Sequence, residues 1–172
     1  MASTATDLRI TVQCVLEGYY NKLATDGLNI GAQRTSFPTP KLIEFTYGTG
    51  TNQINFYAEK VLSLAGGTQS IDFVSGAFAD PYGQTAVLTK LKLLIVHNKS
   101  STSGHTLTLQ GNHITGGTYG TQTTQTLGPG EIRLVCFDPI DGKTITNAVN
   151  DTLTFNPGAN TFNVDVVVGG IM

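Results

Sequence analysis

The sequence predicts an all-β fold, an antiparallel two-sheet β-sandwich preceded by an extended N-terminal segment, and three observations carry that prediction. The first is composition: the 172 residues include 26 Thr, 20 Gly and 11 Asn. Thr is β-branched and fits strands, while Gly and Asn supply the conformations of tight turns. The second is period: apolar residues alternate with polar ones over short runs, as half-buried strands require. The third is spacing: turn signals recur after almost every such run, and no long stretch keeps a convincing helical pattern. A jelly roll is the expected form, with a closed barrel as the alternative.

The elements follow in order. Between Asp7 and Asn21, Leu8, Ile10, Val12 and Cys14 alternate with Arg9, Thr11 and Gln13, which reads as strand. A helix over Val12 to Ala24 is disfavoured by Gly18 and the Tyr19-Tyr20 pair. Asp26-Gly27 marks a turn, and Gly31, Pro38 and Pro40 suggest an irregular extended crossing over residues 28–41. Residues 1–40 are therefore expected to form strands or an arm that packs on, or exchanges with, neighbours. Residues 41–172 are expected to form the sandwich.

Within the sandwich, Ile43, Phe45 and Tyr47 share one strand face. The strand pattern resumes from Ile54 to Leu64, and Ala65-Gly66-Gly67-Thr68 predicts a tight hairpin into Ser70 to Val74. The apolar run AVLTKLKLLIVH, up to His97, is the expected central strand. His105 to Gln110 follows, then the long polar stretch 111–126, whose sole core residue is Ile114. Polar loops of that length in small domains are usually functional. Glu131 to Phe137 is a further strand. Leu153 to Phe155 and Thr161 to Val168 are expected to close the fold as a hairpin. Leu91, Leu93, Ile95, Leu107, Leu109, Leu134 and Val166 are the expected inward core.

Composition also excludes functions. A net charge of −2 with only 13% charged residues gives no cluster of Lys and Arg to neutralise phosphates, so nucleic acid is not an expected partner. No apolar run approaches the roughly 20 residues of a membrane helix, so no membrane partner is expected. The opening MASTATDLRI lacks the basic and apolar regions of a secretory signal. Cys14 and Cys136 lie in strand-like settings and read as small buried hydrophobes rather than a disulfide, which suits a reducing compartment.

Catalytic and metal chemistry find little support. His97, His105 and His113 recur every eight residues; the first two could face one another across a hairpin as two metal ligands. Zinc needs a third or fourth ligand, and none has suitable spacing, so these read as surface or loop-end histidines. Asp26, Asp80, Asp138 and Asp141 precede Gly or Pro and serve turns. A glycosidase pair drawn from Glu17, Glu44, Glu59 and Glu131 is the remaining carboxylate possibility. Ser100, Ser101 and Ser103 lie in a loop without a nucleophile elbow, and Gly48-Thr49-Gly50 and Gly116-Gly117 open no helix. The expectation is no enzyme, no catalytic residues, no metal and no cofactor.

Four stretches carry a resemblance: LIEFTYGTGTNQINFYAEKVLSLAGGTQSIDF (42–73), DPYGQTAVLTKLKLLIVHN (80–98), LGPGEIRLVC (127–136) and DTLTFNPGANTFNVDVVVGG (151–170). LRITVQCVLEGYYNKLATDG is similar more loosely. Together they resemble small structural proteins of tailed bacteriophages. The resemblance implies a virion protein of jelly-roll or related sandwich type: a decoration, or cement, protein on the capsid exterior. It implies the major capsid protein and further copies of the same chain as partners, a trimer in preference to a dimer. It also implies synthesis in the host bacterial cytoplasm and final location on the virion. The polar stretch 111–126 departs from the family pattern. The competing expectation is a phage head-fibre or tail receptor-binding domain that meets carbohydrate through loops 98–104 and 111–126.

Overall fold

The computed structural model describes residues 9–14, 17–23, 29–36, 41–79, 83, 85–114, 124–137 and 140–172. Four strands come from the N-terminal region: β1 (Arg9–Cys14), β2 (Glu17–Leu23), β3 (Asn29–Ser36) and β4 (Lys41–Tyr47). Ten more follow: β5 (Gln53–Ile54), β6 (Phe56–Ala65), β7 (Gln69–Asp72), β8 (Lys90–Asn98), β9 (Leu107–Gln110), β10 (Gln125–Leu127), β11 (Ile132–Cys136), β12 (Lys143–Thr144), β13 (Thr152–Asn156) and β14 (Thr161–Ile171). The fold is all-β, with one helical turn at 112–114 among the described residues.

Two sheets make the sandwich. One has the order β11-β8-β14-β6, with β12 extending it by pairing β8; the other has the order β10-β9-β13-β7. Every pairing in both is antiparallel. The core lies between them. Phe162, Val164, Val166 and Val168 alternate inward along β14, with Ala58, Leu62 and Leu64 on β6 and Leu94 and Val96 on β8. Ile71, Leu107, Leu109, Leu127, Leu153 and Phe155 meet them from the second sheet. A small third sheet, β1-β4-β5, joins β4 to β5 in parallel, and among the described residues β2 and β3 pair with each other.

Both expected hairpins are absent. β6 pairs β14 while β7 pairs β13, so the 66–68 turn carries the chain from one sheet to the other. β13 and β14 likewise lie in opposite sheets, and their connection is a crossing. The two crossings touch, with the Gly66 amide donating to the Asn160 carbonyl at 3.1 Å. The cause is amphipathic: both members of each pair have a face to bury, and placing them in opposing sheets buries both against each other. Residues 29–36 also differ from the irregular crossing expected of them. They form β3, a ladder with β2 from Glu17↔Ser36 to Leu23↔Asn29. Main-chain bonding suffices for that, and Pro38 and Pro40 lie outside the described residues.

The core expectation holds for Leu91, Leu107, Leu109 and Val166 but fails for two residues. Ile95 is only partly buried, and Leu134 is 41% exposed. The reason is a bulge in β8. Leu91 pairs Gly170 and Leu93 pairs Gly169, which leaves Lys92 as an extra residue in the ladder. One added residue inverts the alternation beyond it. Leu91, Leu94 and Val96 therefore face the main core, whereas Leu93 and Ile95 face the opposite side of the sheet. Leu93 is still buried, in a second cluster under Phe45 and Ile54.

Candidate interaction surface

The outer face of the β11-β8-β14-β6 sheet carries three exposed large hydrophobic residues, Val61, Ile132 and Leu134. Strand register orders its side chains in rows. One row is Ile132, His97, Asp165 and Val61; the next is Leu134, Ile95, Val167 and Glu59; the third is Cys136, Leu93, Gly169 and Tyr57. Phe45 and Ile54 of the small sheet cover the third row. Gly169 makes this cover possible, since a Cβ there would stand 3.2 Å from Ile54 Cδ1 and 3.2 Å from Leu93 Cβ. The first two rows stay open: Ile132 is 58% and Val61 61% exposed. Lone exposed apolar residues are ordinary, but several on one flat sheet face mark an interaction surface.

Polar groups edge this face. Asp165 Oδ2 lies 3.3 Å from Lys99 Nζ and 3.6 Å from His97 Nδ1. Asp165 Oδ1 is shielded from solvent and accepts no hydrogen bond. A shallow groove of about 470 Å³ runs beside it, lined by Glu59, Lys60, Val61, Asp165, Val166 and Val167. The Tyr57 hydroxyl donates to Glu59 Oε1. Burial, followed by that bond and the nearby charge, raises the Tyr57 pKa and keeps the phenol neutral. Burial also raises the pKa of Cys136, a free thiol.

The sandwich is fastened by buried polar groups that the sequence pattern concealed. Lys92 is fully buried at the bulge, and its Nζ donates to the carbonyls of Gly50 at 2.7 Å and Ile140 at 3.4 Å. It ties the 48–53 loop, and with it the small sheet, to β8. Asn98, at the far end of β8, donates to the carbonyls of His105, Leu127 and Gly128, and accepts from the Ser100 amide. Where β9 ends and β13 begins, Asn112 donates to Asp151 Oδ1 at 2.7 Å and accepts from the Thr152 amide at 2.6 Å. Bonds from Ala148, Asn112 and Thr152 outweigh burial and hold the Asp151 carboxyl below its ordinary pKa.

The three histidines do not converge. His97 lies on the outer face beside Asp165. His105 stacks on Phe162 at 5.8 Å, with Nδ1 3.0 Å from Ser100 Oγ. β8 and β9 lie in opposite sheets, so no hairpin brings these two together. His113, expected at the surface, is fully buried: it meets Phe73 edge-on at 5.0 Å, and its Nδ1 donates to the Asn150 carbonyl at 3.0 Å. Desolvation lowers its pKa to about 4.

Of the four glutamates considered, Glu59 and Glu131 are exposed and Glu44 is half-buried, while the side chain of Glu17 lies outside the described residues. Glu131 Oε2 accepts from the Gly128 amide and so shapes its turn. Asp141 is exposed, whereas Asp26, Asp80 and Asp138 lie outside the described residues, as does most of the 111–126 stretch. Among the described residues no three His, Cys, Asp or Glu side chains group as metal ligands. No family model, curated protein or solved structure matches this chain.

Proposed function

We propose that this chain is a virion structural protein, a decoration protein that binds the exterior of a phage head and stabilises contacts between major capsid subunits. The carrying observation is the half-covered outer sheet face, where Ile132, Leu134, Val61 and Val167 lie in adjacent rows. A flat apolar face binds by area and shape, and its core supplies affinity without a reactive group. The proposed role is non-catalytic and needs no cofactor, with assembly as a homo-oligomer, a trimer in preference to a dimer. The crossings between sheets support the jelly-roll form. The phage-family resemblance supplies the location; repetition over many capsid sites would raise weak single contacts by multivalency.

The test adds purified protein to heads lacking it, with and without chelator, and reads occupancy by cryo-microscopy and retention of DNA on heating. Copies spread over the shell with raised heat resistance, unaffected by chelator, are the expected result. Failure to bind, binding confined to a vertex or tail, or hydrolysis of a host glycan would overturn the reading.

A further inference from the structure

Among the described residues β6 is the last strand of its sheet, in the order β11-β8-β14-β6, and it is long, with 10 residues. Its ladder with β14 runs without a shift from Phe56↔Gly170 to Ala65↔Thr161. A long regular edge turns alternate N–H and C=O groups away from its sheet and is a template for another strand. The side chains of β6 add to that hazard. Phe56, Ala58, Leu62 and Leu64 are buried on the inner side, and Val61 is exposed on the outer.

One residue breaks this pattern. Lys60 holds an inward position, between Ala58 and Leu62 along the strand and opposite Val166. It is half-buried. Its Nζ donates to the Ala77 carbonyl at 2.9 Å and stands 5.9 Å from the centre of the Phe78 ring, which belongs to the core. The stem lies on apolar surface while the ammonium stays at the margin of the sandwich. Every other buried inward position on β6 is apolar, so packing alone does not call for a cation here.

The geometry of strand pairing supplies the reason. Suppose β6 met β6 of a second copy antiparallel, about a two-fold axis, to make one continuous sheet. A slip of one residue would send inner side chains outward, so only alternate registers are open. The two with the greatest overlap centre on Lys60 and on Val61. The first sets two ammonium groups directly opposite one another, and like charges so placed repel. The second sets Lys60 against the other copy's Leu62 and takes its charge out of water without a partner, which is costly.

We infer that Lys60 guards the β6 edge: its charge keeps this strand from pairing with β6 of a second copy and joining two sandwiches into one sheet. An inward-pointing charge is a recognised protection of edge strands. The inference is independent of the capsid and of any assembly through the outer face, because the unmutated chain's own state of association serves as the baseline.

The test uses the full chain. Lys60→Met keeps a long side chain beside Phe78 and removes the charge; Lys60→Gln also keeps an N–H donor for the Ala77 carbonyl. In sedimentation both should self-associate at concentrations at least tenfold below the unmutated chain, with cooperative melting, while Lys60→Arg should match the unmutated chain. Register is read with Val61→Cys in a Cys14→Ser, Cys136→Ser background. Under mild oxidation the version that also carries Lys60→Met should form a disulfide between copies in far higher yield than the version that keeps Lys60. Unchanged sedimentation of both neutral variants, equal disulfide yield with and without Lys60, or association induced equally by Lys60→Arg would overturn the inference. So would a lowered melting temperature without new association, which is the result expected if Lys60 only anchors Ala77.

Discussion

The two faces of the β11-β8-β14-β6 sheet come from the same strands and end in different states. The inner face is closed: Leu94 and Val96 of β8 and Val164, Val166 and Val168 of β14 are almost without exposure. The outer face is closed over its third row and open over the rest. β8 is apolar on both faces, whereas β14 turns Asn163 and Asp165 outward between the inward Phe162, Val164 and Val166. The difference arises where one bulge sends Leu93 and Ile95 outward and one small sheet packs on Leu93, Tyr57, Ile95 and Cys136 but leaves Ile132, Leu134 and Val61 exposed. Apolar residues on a strand thus have two roles, to hold the fold and to present a contact. Burial separates them where sequence does not.

That contrast is sharpened first by truncating the closed face. Leu94→Ala should cost about 2–5 kcal/mol, through lost transfer energy and the cavity left behind. The urea midpoint measures it. A loss under about 1 kcal/mol would mean that the inner face is no better packed than the outer one. The bulge comes next. Lys92→Ala removes the charged donor to the Gly50 and Ile140 carbonyls and the buried aliphatic stem, for a loss of about 1.5–3 kcal/mol. If Lys92 also anchors the small sheet, hydrogen exchange in β4 and β5 should rise more than in β14.

Acid probes the edge of the closed core through His113. Its folded pKa is lowered to about 4, against 6.5 for the free side chain. Below pH 6.5 the unfolded chain takes up a proton that the folded chain refuses until about pH 4. Stability therefore falls as pH drops through that window, by about 3 kcal/mol when complete. Asp151, with its pKa lowered, adds a further loss as pH falls below its unfolded value. His113→Leu should flatten the pH 6.5 to 4 limb and leave the more acidic one. A titration of urea midpoints that keeps its slope in this variant would move the effect elsewhere.

Much of the architecture was legible, and what was missed follows from distance along the chain. Alternation in TFNVDVVV and in ITVQC sufficed for the strands, because burial on one face imposes a period of two. Which strands pair was not legible. Gly66-Gly67 and Pro157-Gly158 signal a reversal equally well for a hairpin and for a crossing between sheets. The bulge at Lys92 was hidden for a related reason: LKLLIV is apolar at nearly every position, so its phase cannot be read. His113 lies in a polar run, and only the fold shows that Phe73 and Phe137 enclose it. Asp151 preceded neither Gly nor Pro, and so drew no attention as a hydrogen-bonding centre. The outer face was least legible of all, since Leu134 and Ile95 have the same pattern as core residues.

The smallest expected effect is therefore the most informative about function. Ile132→Ser with Leu134→Ser changes two side chains that are 58% and 41% exposed on edge strand β11. Exposed substitutions away from caps and buried networks are usually worth less than about 0.5 kcal/mol each, so the pair should lower stability by less than about 1 kcal/mol. If these rows are a contact surface, the same pair should reduce occupancy on heads or self-association by an order of magnitude or more, because apolar residues near the centre of an interface carry much of its affinity. Thermal melts and binding measured on one preparation separate the possibilities. A large stability loss would place Leu134 in the core after all. Small losses in both would confine the contact surface to the Val61 side of the sheet.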